Sequence, residues 1–380
     1  MASTKIAILF FATIFGACTT ATPLNSLPKP VSQKPASSKV SPKPVVEETQ
    51  AVQLDKELDA LSDSKKIFHL ALQRDRDQQW QKAANAYQKV IILDEKFLRA
   101  RINLGLVSIQ LKEFKRAREE CSLVLSANEL ISMAHYCIAE IFTAQENLSE
   151  AIPAYVRALA FRDKAPIVRL AFARALLKKG KIDNAVVQLT KTASEAIDRP
   201  NLLLHVAQEF ISVNKTQEAV KTYHELIAVH PDYFLARLKF GRLLMNTSLA
   251  AKARIHLEKA NQLQPSNIKP VLALLNWSFQ EGKQSLASKY LKLSKNCKIE
   301  ESSTHLKLAH YYWFFGKVDQ AQKHIGLGLS KPAKVGVTKS LERMQSQIKA
   351  GQRPIKVNPF YSSKKRIPVT APPKSRTPVK

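Results

Sequence analysis

An alanine returns at every thirty-fourth position through most of this chain: Ala83, Ala117, Ala151, Ala185, Ala219, Ala253, Ala287 and Ala321. Alanine is common, so the register rests on its neighbours. Thirteen positions before each anchor stands a large apolar residue: Leu70, Leu104, Ile138, Phe172, Val206, Phe240, Leu274 and Leu308. The next position is small in seven periods (Ala71, Gly105, Ala139, Ala173, Ala207, Gly241, Ala309) and Leu275 in the other. Four positions after the anchor come Tyr87, Cys121, Tyr155, Leu189, Tyr223, Leu257, Leu291 and Ile325. A fixed period of this length means one supersecondary unit copied along the chain, each copy burying its apolar face against the next. Composition makes that unit helical. Only 10 of the 380 residues are glycine, and the abundant Ala, Leu, Lys and Gln favour helix over strand.

The period accommodates a helical hairpin. The small sites let two helices approach closely, and the large residue beside each fills the gap. Gly180, Gly282 and Gly316 each stand five positions before an anchor, where a turn between the helices needs a left-handed backbone. Pro231 and Pro265 stand twelve positions after theirs, where the second helix must stop. In length, small sites, turn glycines and terminal prolines, the chain resembles the tetratricopeptide repeat family over about residues 64–335. The resemblance implies an all-α fold: a right-handed α-solenoid of about eight 34-residue helix-turn-helix repeats with a C-terminal capping helix. Val337, Leu341, Met344 and Ile348 have the helical spacing for that cap, and Leu54, Leu58 and Leu61 suit a helix at the other end. One column departs from the family. Where a bulky aromatic is expected early in the first helix, this chain has Arg101, Arg169, Arg237, His135 and His305. That predicts weaker packing there, or a more polar seam between repeats.

The ends are of another character. Lys5 precedes a ten-residue apolar run, Ile6 to Phe15, which is too short to cross a bilayer core of about 30 Å as a helix. Gly16 and Ala17 then precede Cys18, the small-residue site a signal peptide needs. Phe15-Gly16-Ala17-Cys18 resembles the lipobox of bacterial lipoproteins, with Phe15 where the family usually has Leu. The resemblance implies that Cys18 is lipidated and becomes the mature N-terminus. Thr19 and Thr20, in place of the Asp that retains such proteins at the inner membrane, lean towards the outer membrane. The expected organisation is a signal peptide at 1–18, a Pro/Lys-rich linker at 19–50, a helical lead-in at 51–63, the solenoid at 64–335, a capping helix at 336–351 and a basic, proline-rich, disordered tail at 352–380. Proline and like charge keep such linkers extended.

The net charge is +28, of which residues 351–380 carry +8 without one acid. Such a balance favours polyanions but identifies none. Nucleic acid is not expected, because the basic tails have no interleaved stacking aromatics beyond Phe360 and Tyr361.

Chemistry finds little support. There is no phosphate-cradling glycine loop. His224-Glu225 begins like a zinc-protease helix, but Ala228 stands where the second histidine belongs. His135, Cys137 and Glu140 read as helix-surface variation. Cys121, Cys137 and Cys297 form no CxxC pair and no metal spacing. They read as small buried side chains, with a Cys121–Cys137 disulfide as the alternative. No enzyme, metal or cofactor is expected.

Binding is the better reading. In the family the first helices line a concave face. The resemblance therefore assigns a partner groove to three columns on one helical stripe, at offsets of four and seven. The first contains Tyr136, Leu170, Leu204 and Leu238; the second contains Glu140, Arg174, Gln208, Arg242, Asn276 and His310; the third contains Met245, Phe279 and Trp313. Apolar anchors beside Arg174 and Arg242 suit an amphipathic helix or extended peptide with acidic groups. Lipid signal, spacer and repeats together resemble lipoproteins that pilot secretins in type IV pilus systems. They imply a periplasmic scaffold for envelope assembly with a protein or peptide partner. The alternatives are an adaptor for peptidoglycan enzymes and a polyanion-binding protein.

Overall fold

The computed structural model describes residues 58, 61–162, 164–354 and 366–371. The expected signal peptide with Cys18, the linker at 19–50 and most of the lead-in lie outside the described residues. The chain divides into two compact units, Met1–Arg162 and Asp163–Lys380.

In the first unit six helices make three hairpins: α1 (Ser64–Arg76) with α2 (Trp80–Leu93), α3 (Leu98–Gln110) with α4 (Phe114–Ala127), and α5 (Ser132–Ala144) with α6 (Leu148–Ala160). In the second unit eleven helices make five hairpins and a cap. The pairs are α7 (Pro166–Lys178) with α8 (Ile182–Glu195), α9 (Pro200–Ser212) with α10 (Thr216–Val229), and α11 (Phe234–Leu244) with α12 (Ala250–Leu263), followed by α13 (Ile268–Gln280) with α14 (Gln284–Leu293) and α15 (Ser302–Phe314) with α16 (Val318–Leu329). The last helix, α17 (Val335–Lys349), covers the final hairpin. Within each unit consecutive helices pack in pairs, as a helix-turn-helix array requires. Among the described residues there is no strand.

The turns follow from local backbone chemistry. Seven of the eight hairpins place the residue five before the anchor alanine at positive φ: Gln78, Lys112, Glu146, Gly180, Asn214, Gly282 and Gly316, between 59° and 79°. The next residue donates its N–H back into the first helix, as from Lys181 to the Leu176 carbonyl (2.9 Å) and from Glu113 to Ser108 (2.8 Å). This is the reciprocal C-terminal cap that satisfies orphan carbonyls. Only three of the seven positions are glycine, so a glycine search finds fewer than half of these turns. The eighth hairpin, α11–α12, has Ser248 there and turns differently. Helix starts are also written locally. Asp63 Oδ1 accepts from the N–H of Lys65 (2.8 Å) and Lys66 (3.2 Å), while Pro166 and Pro200 open α7 and α9 where a missing N–H costs nothing.

The anchor alanines are sealed, with at most 1% exposure. So is the column four residues on, where Tyr87, Tyr155 and Tyr223 are the large members. Fully burying one large apolar side chain stabilises by about 1.5–3 kcal/mol, and the column repeats this in every hairpin but α3–α4, where Cys121 stands. The small sites are small for a reason of space. A Cβ on Gly241 would meet Leu257 Cγ at 2.6 Å, and one on Gly105 would meet Cys121 Sγ at 2.4 Å. The cysteine expectation is corrected here: Cys121 and Cys137 are both buried and disulfide-bonded, joining α4 to α5 across two hairpins. Cys297 is a free, half-buried thiol.

The departing column also finds its reason. Its polar side chains bond nineteen residues on, to the second helix of their own hairpin: Arg101 to Glu120 (3.0 Å), Arg169 to Gln188 (3.2 Å), Arg237 to His256 (3.2 Å) and His305 to His324 (3.0 Å). Several also reach back six residues to a loop carbonyl, as Arg237 does to Pro231 (2.8 Å) and His135 to Glu129 (2.7 Å). The expected seam between repeats is therefore, in four of the hairpins, a polar seam within the hairpin. It also satisfies carbonyls that the preceding loop leaves open.

At the cap, Leu341, Met344 and Ile348 are buried as expected, with Leu341 seated over Gly328. Most of the expected tail, residues 355–365 and 372–380, lies outside the described residues. Residues 366–371 lie extended against the turn of α11–α12, hydrogen-bonded to it through Ile367.

Candidate functional site

The proposed groove columns are divided between burial and exposure. In the first unit Tyr136 is buried, its ring 6.2 Å from that of Tyr155. Glu140 is half-buried and accepts a hydrogen bond from the Tyr155 hydroxyl, which Thr143 Oγ1 also meets at 3.1 Å. A small recess beside them is lined by Asp75, Trp80, Gln110, Tyr136 and Glu140. Burial pushes the Asp75 carboxyl up to about 6, opposed by its hydrogen bond with the Tyr87 hydroxyl. Asp75 shares the third column's register, seven positions after Phe68, and burial withdraws its carboxyl from water.

In the second unit the apolar members Leu170, Leu204, Leu238, Met245 and Trp313 are all buried, at 4–7% exposure. They pack between helices and present little surface to a partner. The polar members stay nearer to solvent, because only charge or amide can face water there without loss. Gln208, Asn276 and His310 are half-buried and Arg242 is exposed. Two of the polar members serve the solenoid itself. Arg174 Nε donates to Glu209 Oε1 at 2.7 Å, tying α7 to α9. Asn276 accepts from the Tyr311 hydroxyl, tying α13 to α15. Both pairs span 35 residues, one period plus one, so each is a bridge between successive first helices. Phe279 packs in an aromatic cluster, its ring centre 4.8 Å from that of Tyr311 and 4.9 Å, edge-on, from that of Phe314. His310 lies 6.3 Å from the Trp313 ring, and burial lowers it to about 4.

What the columns did not reveal is a cationic set around Arg242. Lys239 on α11 is half-buried, and burial first, then Arg242 and Lys269 of α13, depress its pKa. His205 on α9 is depressed by burial and by Arg174. Arg242 and Lys269 are exposed and have no carboxylate within ion-pairing distance among the described residues. Lys239 and Lys269 lie outside the three columns chosen from sequence; charge summed over neighbouring columns would have found them. Among the described residues, no cluster of three or more His, Cys, Asp or Glu could hold a metal ion, and no helix is long and apolar enough to cross a membrane.

A model of the tetratricopeptide repeat matches residues 70–130 and 207–268. Those two stretches hold hairpins of both units, with the turns and sealed alanines described above. Solved tetratricopeptide structures are similar to the chain at low identity. Pseudomonas aeruginosa PilF is 18% identical with a TM-score of 0.41, over 52% of this chain and 90% of that one. A thermophilic tetratricopeptide protein of Thermus thermophilus is 14% identical with a TM-score of 0.42, over 48% and 100%. YrrB, a tetratricopeptide protein with an unusual peptide-binding site, is 18% identical with a TM-score of 0.37, over 50% and 98%. No curated protein matches the chain. The cationic set lies on α11 and α13 of the second unit, first helices of their hairpins and the elements that the family resemblance assigned to binding.

Proposed function

We propose that this protein is a non-catalytic envelope scaffold that holds an acidic segment of a partner protein on the first helices of its second unit. The observation that carries this reading is the trio Lys239, Arg242 and Lys269. Three cations converge on adjacent first helices, one of them partly desolvated, with no carboxylate of the described chain to neutralise Arg242 or Lys269. An anionic side chain placed there gains charge-assisted hydrogen bonds and relieves like-charge repulsion. Arg174 plays a different part, because Glu209 already engages it.

The anchoring part of the proposal rests on the lipobox-like run before Cys18 and on the proline-rich linker after it. The buried Cys121–Cys137 disulfide supports an oxidising compartment such as the periplasm. We assign the protein to the periplasmic face of the outer membrane, where it assists assembly of an envelope machine, with the type IV pilus secretin as the leading client.

Crosslinking in cells, followed by identification of the captured protein, tests the partner. Lys239→Glu with Arg242→Glu lowers that capture by about tenfold or more while far-ultraviolet circular dichroism stays unchanged. Undiminished capture by the double variant moves the binding face elsewhere. Cys18→Ser leaves the protein uncleaved or in the soluble fraction; retention of a mature membrane-bound form refutes the lipid anchor.

A further inference from the structure

The turn of the α11–α12 hairpin breaks the rule of the other seven. Elsewhere the residue five before the anchor alanine has positive φ, and its N–H closes onto the carbonyl three residues back, as from Gly180 to Leu177 (3.0 Å). Here that residue is Ser248, in the run Asn246-Thr247-Ser248. Thr247 Oγ1 takes over part of the capping: it donates to the Leu244 carbonyl at 2.9 Å and accepts from the Leu249 N–H at 3.1 Å. The Ser248 N–H and the Asn246 carbonyl are thereby released from the turn. A released donor and acceptor on an exposed edge form the template to which an extended chain adds.

The C-terminal segment fills that template. Ser248 N donates to the Ile367 carbonyl at 2.9 Å, and Ile367 N donates to the Asn246 carbonyl at 2.9 Å. Ser248 Oγ donates to the Val369 carbonyl at 2.9 Å and accepts from Val369 N at 3.1 Å. The segment reaches beyond this one turn. Arg366 pairs with Glu281 at the α13–α14 turn, and Thr370 meets Gln217 near the α9–α10 turn. Gln217 Nε2 donates to Thr370 Oγ1 at 2.8 Å, and its Oε1 accepts from Thr370 N at 2.9 Å. Pro368 suits its position, since none of these bonds asks for its missing N–H and its fixed φ favours the extended form.

We propose that this row of three turns is a strand-addition site for extended peptides of the pattern Arg-x-Pro-Val-Thr, and that its resident occupant is the chain's own segment Arg366–Thr370. Each recognised feature has its receptor: Glu281 for the guanidinium, Asn246 and Ser248 for the backbone, Gln217 for the hydroxyl residue. The site is separate from the cationic trio and takes a ligand of opposite charge. The chain repeats the core ten residues later as Arg376-Thr377-Pro378-Val379, with Lys380 in place of the threonine. That second copy is a natural competitor lacking the Gln217 contact of the threonine hydroxyl.

Hydrogen exchange on the full chain tests occupancy. The amides of Ile367, Val369 and Thr370 are protected, and Glu281→Arg with Gln217→Ala abolishes that protection. Free exchange of all three in the unmodified chain overturns the proposal. Recognition is tested on a full-length chain carrying Arg366→Ala, Thr370→Ala and Arg376→Ala, with a fluorescein-labelled peptide of residues 363–371 as probe. The peptide binds this vacated chain about tenfold or more tighter than the unmodified chain. Adding Glu281→Arg removes binding, and a peptide with Arg366→Glu restores it. Failure of the peptide to bind the vacated chain, or binding indifferent to Glu281→Arg, refutes the site.

Discussion

His305 and His324 face each other across the last hairpin with their Nδ1 atoms 3.0 Å apart, and His324 stacks on the Tyr312 ring. One ring donates and the other accepts, which requires the accepting ring to be neutral. Burial, then His305 and Lys323, lowers His324 to about 4 from its ordinary 6.5; burial lowers His305 as well. A histidine depressed in the native state binds fewer protons there than in the unfolded chain. Its contribution is therefore fully present above pH 6.5 and is lost as pH falls towards 4. His256 and His310 share that window and that sign. The second unit should lose several degrees of melting temperature between pH 7 and pH 4, read from Trp277 and Trp313 fluorescence, and His324→Gln should flatten the slope. An unaltered slope removes the histidine pair from the account. Asp75 in the first unit has the opposite sign: its carboxyl, raised from 3.8 to about 6, adds stability as pH falls through that range. Trp80 reports on that unit separately.

At the scale of the element, the hairpin turn is where sequence and backbone disagree. Lys112, Gln78, Glu146 and Asn214 occupy left-handed backbone that costs a residue with a Cβ about 1–2 kcal/mol. Lys112→Gly relieves that cost and should stabilise the first unit by about 1 kcal/mol, less a small loss from a freer unfolded chain. Gly180→Ala should destabilise the second unit by about 1 kcal/mol. Urea midpoints of the two variants check both, and movement of both in one direction contradicts the left-handed assignment. The same view explains why α11–α12 became a docking edge: without a residue at positive φ the cap is incomplete, and the segment at Ile367 completes it.

For the molecule as a whole, the disulfide is the one covalent tie between hairpins among the described residues. Its cysteines stand 16 positions apart, and a tie of that length stabilises by about 3 kcal/mol through the unfolded state. Cys121→Ala with Cys137→Ala should lower the unfolding midpoint reported by Trp80 and leave that of Trp277 nearly unchanged. An unmoved Trp80 midpoint means that the pair adds nothing to the first unit. The bond also fits the envelope setting proposed for the protein, since buried disulfides persist where the surroundings are oxidising.

The periodic part of the fold was legible in advance because packing repeats it. Each anchor alanine, each small site and each large partner recurs at the same distance, so one hairpin's sterics are written eight times in the chain. The cap was legible for the same reason: Leu341, Met344 and Ile348 keep helical spacing. Everything that depends on a partner distant in sequence was decided by tertiary structure. Spacing left the Cys121–Cys137 bond open, because only the approach of α4 and α5 brings the sulfurs together. The engagement of Arg174 by Glu209, the convergence of Lys239 with Arg242 and Lys269, and the seating of Ile367 on Ser248 likewise rest on contacts between helices or over a hundred residues. Local propensity carries no information about such contacts until the backbone has folded.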